Sequence, residues 1–213
     1  MGWGMAGRVV KQDRAVRTRA TLVRAAAEVF AESGFAGASV ARIANRAGVT
    51  LGAMYFHFRS KEELAREIVR SQPDLVVPPI PAQGLQQVVD ITLTWGYQLL
   101  DNPVLLAGAR LVTDQEQFIS PEDNSHQQWV SVVLPSFREA QRKREVRAGV
   151  DVEAWARLVV NACTGAQMHA SMETGRKDLP ERIVEMWHCI LPALAVPSVV
   201  KRLEFGEDRG RHL

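Results

Sequence analysis

Residues 39–58, SVARIANRAGVTLGAMYFHF, decide how this chain is read. Ser39 opens the stretch with a hydroxyl suited to cap the amides of a helix start. Val40, Ile43, Ala44 and Ala47 follow at spacings of three, one and three, which is the stripe of a short helix. Gly48 supplies a tight turn. Thr50 then caps a second short helix carrying Leu51, Gly52, Ala53, Met54, Tyr55, Phe56 and His57. Two short helices across a Gly-containing turn form a helix-turn-helix, whose second helix enters the major groove of DNA. Gly52 and Ala53 keep its leading end slim enough to approach base edges, and Tyr55 and His57 have polar tips suited to phosphate oxygens. The same turn also occurs in all-helical cores that bind no nucleic acid, so the flanks must decide.

Downstream, Ser60 caps a further helix, and Glu63 at its third position completes a capping box. Lys61 at that start lies within reach of a phosphate beside the docked helix. Upstream, residues 14–33 predict a helix with Leu22, Ala25, Ala26, Val29 and Phe30 on one face; Gly34 ends it and Phe35 folds back. Residues 1–13 are expected to form a flexible basic arm, with Arg8, Lys11, Arg14, Arg17 and Arg19 available to the DNA backbone or simply solvated. Charge supports the first use. Residues 1–72 hold twelve Lys and Arg against six Asp and Glu, a net +6, while the remainder is net −4.

The string GVTLGAMYFHFRSKEEL at 48–64 closely resembles the DNA-binding domain of TetR-type repressors. Their signature ends the recognition helix in Tyr-x-His-Phe and starts the next helix with Lys, here Tyr55, His57, Phe58 and Lys61. The resemblance runs over residues 14–72. The expected DNA contacts are Arg17, Ser39, Arg42, Thr50, Leu51, Gly52, Tyr55, His57 and Lys61.

At 213 residues the chain has room for such a domain and a larger core. Its 46% hydrophobic and 23% charged residues describe an ordinary soluble protein, with no apolar run long enough to span a bilayer. The opening MGWGMAGRVVK lacks a signal-peptide core, which predicts a cytoplasmic location and no membrane partner. Cys163 and Cys189 sit in apolar helical patterns and read as buried free thiols, not as a disulfide or metal site.

The Pro-rich run PDLVVPPIP marks a linker over 73–82, and the helix before it is expected to end near Gln72. Everything in 83–213 reads as helix. The pattern predicts helices near 85–100, 104–112, 129–146 with a bend at Pro135, 152–174 and 179–194, and a last one after Pro197, with a loop over 114–124. The fold class is therefore all-α: an N-terminal three-helix DNA-binding domain and a C-terminal helical ligand-binding and dimerisation domain. One recognition helix reads too few base pairs, so such modules act as two-fold dimers on paired half-sites. TetR-type proteins dimerise through their last long helices, which implies a homodimer interface here through Trp155, Val159, Met186, Trp187 and Ile190.

Within that superfamily the chain is most similar to the γ-butyrolactone receptors of actinomycetes, which bind a lactone signal and release promoters of secondary metabolism. QDRAVRTRATLVRAAAEVFAESGF at 12–35, the YFHF ending, AGARL at 107–111 and ILPALAVPSV at 190–199 carry the likeness. It implies a double-stranded operator DNA partner and a butyrolactone-like effector held by Gln72, Trp129 and Thr164. Those residue types suit a lactone, since Trp129 offers a flat surface and one N–H, Thr164 a hydroxyl, and Gln72 both a donor and an acceptor. Each also has a plainer use, in core packing, a bond to its own helix backbone, or a helix end. One departure stands out. These receptors usually carry Lys directly after the capping Thr, where this chain has Leu51, so its base preference is open.

An antibiotic or other apolar effector, or an orphan regulator without a small ligand, are the alternatives within the same class. An enzyme is the main reading outside it. No carboxylate pair, nucleophile with a base, or metal-ligand spacing appears, so no catalytic residues, metal or cofactor are expected.

Overall fold

In the computed structural model, which describes residues 3–119 and 124–211, the chain is built from helices. Helix α1 (Trp3–Gly37) is interrupted at Gly34, where φ is 67° and Phe35 turns inward. The expected arm is corrected accordingly. Residues 1 and 2 lie outside the described residues, but 3–13 continue the helix. The run RVVKQDRAVRTRA at 8–20 has no proline and is rich in Arg, Ala, Lys and Gln, which hold a helix well.

Helices α2 (Val40–Arg46) and α3 (Leu51–His57) follow, joined through Gly48, whose φ of 66° suits a residue without a Cβ. Helix α4 (Lys61–Leu75) passes Gln72 by one turn and carries Pro73 inside it. That proline has no N–H for the carbonyl of Val69 four residues back, and the Gln72 amide nitrogen sits 3.5 Å from this freed oxygen.

The larger unit comprises α5 (Gly84–Gln98), α6 (Pro103–Leu111), α7 (Ser125–Arg142), α8 (Val152–Glu173), α9 (Leu179–Leu194), α10 (Pro197–Val200) and α11 (Glu207–Gly210). The loop expected over 114–124 holds a single 3-10 turn at Gln115–Gln117, and its residues 120–123 lie outside the described residues. Helix α7 contains Pro135 but stops at Arg142, short of the expected 146. The chain turns there through Arg144 (φ 57°), and Glu145 points back to accept the amide of Leu85 at 2.9 Å, capping α5. The short helix α11 straps α5 through Arg209, whose Nε donates to the buried carboxylate of Asp90 at 3.1 Å.

Two cores result. Leu22, Phe30, Ile43, Met54, Leu64 and Ile68 pack the N-terminal one. Leu85, Val88, Phe137, Ile183, Trp187 and Leu191 pack the other. Helix α6 belongs to both: Leu105 enters the C-terminal core, while Ala107 and Leu111 complete the N-terminal one.

Candidate functional site

The helix-turn-helix is shaped by its caps. Ser39 accepts from the amide of Arg42 at 3.2 Å, Thr50 from Ala53 at 3.2 Å and Ser60 from Glu63 at 3.3 Å. Glu63 answers with a bond from the amide of Arg59 at 2.6 Å, one residue before the Ser60 amide that a strict capping box would use. Met54 and Phe58 anchor α3 inward, leaving Leu51, Gly52, Tyr55 and Phe56 exposed and His57 half-buried. Phe56 is 81% exposed and meets the His57 ring edge-on at 5.2 Å. It escaped the sequence reading because its neighbours carry the signature. Arg17 is exposed on α1.

Two expected DNA contacts have other partners. Arg42 bonds Glu32 and the Ser33 hydroxyl, and Arg46 joins it on Glu32 at 2.7 Å, tying α2 to α1. These arginines hold the Glu32 carboxyl below its ordinary range, Arg46 foremost. Lys61 is the clearer correction. Its ammonium donates to the carbonyls of Phe35 at 2.8 Å and Ala38 at 3.2 Å and lies 4.2 Å from the centre of the Phe35 ring. A cation there adds to the carbonyls at the end of α1, of which that of Phe35 also accepts the Ala38 amide, so Lys61 braces the domain.

Where α4 meets the larger unit, Gln72, Trp129 and Thr164 come together around one cavity in two lobes. The apolar lobe lies among Ile91, Trp95, Val133, Val159, Val160 and Cys163. The polar lobe shares Trp95, Trp129 and Thr164 with it and adds Gln72, Ser125 and Gln167. As they stand the lobes hold about 40 and 30 Å³ of free space, so a ligand larger than a few waters enters only as the lining side chains move aside. Burial pushes the Cys163 thiol up to about 12, so it stays protonated and serves as apolar wall. The Thr164 hydroxyl donates to the Val160 carbonyl at 3.0 Å, which leaves its oxygen as an acceptor. Among the described residues, the indole N–H groups of Trp95 and Trp129 make no hydrogen bond.

Gln72 is 3% exposed and lies flat against Gly108. A Cβ at residue 108 would overlap the amide atoms of Gln72, so only glycine admits this approach. Trp95, Ser125 and Gln167 were not foreseen. They come from three different helices, and each alone reads as an ordinary helical residue.

Comparison with known proteins bears on both halves. The family described as "Bacterial regulatory proteins, tetR family" matches residues 22–68, and "Tetracyclin repressor-like, C-terminal domain" matches residues 82–197. The chain is 34% identical to the A-factor receptor protein of Streptomyces griseus over 196 residues, covering 92% of this chain and 70% of that protein. This chain belongs to the TetR family. Among solved TetR-family structures, full-length TylP from Streptomyces fradiae is similar at 38% identity and TM-score 0.81, covering 92% of this chain and 95% of that one. A γ-butyrolactone receptor (ArpA-like protein) is similar at 27% identity and TM-score 0.68, covering 89% and 93%.

As a TetR-family member the protein is a DNA-binding regulator that acts on operator DNA as a dimer, and not an enzyme. Two of the residues expected at the dimer interface lie elsewhere. Val159 is fully buried and lines the cavity, and Trp187 is fully buried with its N–H donating to the Thr92 hydroxyl at 2.8 Å. Trp155, Met186 and Ile190 are half-buried. The exposed apolar side chains of α8 are instead Leu158, Met168 and Met172, at 46%, 43% and 74%. With Asn161 and Gly165 they form a stripe stepping by three and four residues, the spacing of a helix–helix seam. Cys163 is buried as expected, but Cys189 is exposed on α9. Among the described residues, no helix is long and apolar enough to cross a membrane.

Proposed function

We propose that this protein is a cytoplasmic repressor that holds a palindromic operator as a dimer and is released by a small γ-butyrolactone-like effector. The observation that carries the reading is the convergence of Gln72, Trp129 and Thr164 on one cavity, with Gln72 on the helix whose other end abuts α3. The cavity is amphipathic in the sense such a ligand needs: an apolar lobe for an alkyl chain and a polar lobe for an oxygen-bearing head. The likeness to the A-factor receptor and to a γ-butyrolactone receptor points to the same ligand class.

Release follows from two levers. Helix α4 carries Gln72 in the cavity wall about 18 Å, at 1.5 Å per residue, from its cap Ser60 beside the recognition helix. Helix α6 carries Gly108 under the Gln72 amide and Leu111 in the core that supports α3. A ligand that displaces the Gln72 amide pushes on both. The two recognition helices of the dimer, which dock at about 34–36 Å on successive turns, then lose their spacing. Leu158, Met168 and Met172 of α8, with Met186 and Ile190 of α9, form the dimer seam that converts tilt within a protomer into separation between them.

The DNA contacts in this reading are Tyr55, His57, Leu51, Gly52 and the hydroxyls of Ser39 and Thr50, with Phe56 added and Arg17 approaching from α1. Coupling of about 1–3 kcal/mol, or about 5- to 150-fold, acts equally in both directions. Trp129→Ala removes the surface shared by both lobes and nothing at the DNA. Operator affinity is expected to stay at the wild-type value while a medium-chain alkyl γ-butyrolactone no longer releases the operator. Measuring ligand affinity by calorimetry, and operator affinity with and without ligand, checks both halves. Release of the Trp129→Ala protein at the wild-type ligand concentration would mean that the effector binds elsewhere.

A further inference from the structure

One wall residue of the polar lobe, Gln167, is bonded from behind by an arginine outside the lobe, and neither is assigned a role above. Gln167 is 3% exposed and lines the lobe together with Gln72. Its Oε1 accepts from the Nε of Arg176 at 3.3 Å. A guanidinium has donors and no acceptor, so the amide atom facing Arg176 must be oxygen. The amide nitrogen of Gln167, with its two hydrogens, is therefore on the opposite side of the group from Arg176. Gln72 is disposed in the opposite sense, with its nitrogen toward the carbonyl of Val69.

Arg176 is held in place by its backbone. It follows Gly175 in the turn between α8 and α9 and adopts a φ of 71°, rare for a residue with a side chain, while its own amide bonds the Ala170 carbonyl at 2.8 Å. It forms no ion pair with a carboxylate among the described residues. Burial, and then the like charge of Arg110, lower its affinity for the proton. A half-buried cation without a counter-charge favours electron-rich atoms nearby.

We propose that Gln167 and Arg176 form the head-group subsite of the cavity, in which Gln167 Nε2 donates to a carbonyl or carboxylate oxygen of the ligand. Arg176 is the positioning residue that keeps the Gln167 amide the right way round. The inference rests on the reading of the cavity as the effector site and narrows it: the ligand presents an acceptor oxygen at this end, not a donor-only head such as an ammonium. A lactone supplies that oxygen neutral, and its ring-opened γ-hydroxycarboxylate supplies it charged.

The test uses the full-length protein and both probes, a medium-chain alkyl γ-butyrolactone and the corresponding γ-hydroxycarboxylate, with affinities by calorimetry. Gln167→Glu keeps the size of the side chain and gives Arg176 a better partner, so the fold is retained, but it replaces the donor with an acceptor. The expected result is a loss of about 10-fold or more for whichever probe the wild type binds, with the tighter probe identifying the form recognised. A medium-chain alkylamine, a donor-headed ligand, is expected to bind Gln167→Glu more tightly than the wild type, an inversion that mere loss of packing would not produce. Arg176→Met frees the amide to turn and is expected to weaken the acceptor probe while Gln167→Glu/Arg176→Met adds less than the sum of the two losses. Unchanged probe affinity in Gln167→Glu, with Trp129→Ala losing it, overturns the subsite and leaves the cavity. Silence of the wild type toward both probes overturns the cavity reading and the subsite with it.

Discussion

The DNA-reading unit and the cavity unit are built on opposite plans. In the first, the contacts that start the helices are short in sequence: three caps, each bridging three residues, fix where α2, α3 and α4 begin, and Lys61 braces them across 26 and 23 residues. Its functional side chains then project outward from a small core. In the second, five helices contribute to a cavity whose functional side chains point inward, and its defining contacts span long separations, as between Thr92 and Trp187. A surface that must meet a stiff external partner needs local rigidity. A site that must enclose a small one needs walls that are held from behind.

Trp187→Ala tests the second plan most severely. Removing a fully buried indole that also hydrogen-bonds the cavity residue Thr92 is expected to cost about 3–5 kcal/mol in chemical denaturation. An effect confined to dimer dissociation in sedimentation, with protomer stability intact, would return Trp187 to the interface and blur the contrast. Lys61→Met probes the first plan. Loss of the charged hydrogen bonds to Phe35 and Ala38 is expected to destabilise by about 1.5–3 kcal/mol, while the salt dependence of operator binding keeps its slope. A slope flattened by about one unit would mean that the ammonium leaves those carbonyls for a phosphate. Leu51→Lys has the smallest effect on the fold, since the side chain is 47% exposed and its replacement is expected to change stability by less than about 0.5 kcal/mol. It is nevertheless expected to shift the preferred base at one half-site position by about 1–3 kcal/mol in a randomised-operator selection. An unchanged profile would show that residue 51 faces away from the groove.

The same contrast governs what could be read from sequence. Ser39, Thr50 and Ser60 announce their helices because the amides they bond lie three residues away. Lys61 misled because its acceptors lie 26 and 23 residues upstream, at the end of a helix that sequence spacing does not connect to it. On α8 and α9 the apolar residues run round much of the helix, so periodicity could not separate the inward Val159 and Trp187 from the outward Leu158, Met168 and Met172. Gln72, Trp129 and Thr164 were reached through resemblance alone. Their plainer uses hold as well: Thr164 does bond its own helix. Gln167 carried no signal, because a glutamine inside a helix looks solvent-facing until Gly175 and Arg176 fold back over it.

The double membership of α6 sets a limit on modularity. The non-helical segment 76–83 between α4 and α5 invites a chimera in which residues 1–75 are replaced by the reading head of another regulator. Such a graft would leave Ala107, Leu111 and Phe118 without the partners they were shaped against, since the rings of Phe118 and Phe35 lie 4.8 Å apart across the seam. The transferable head therefore includes a piece of the sensor, and a working hybrid must exchange the facing side of α6 along with it.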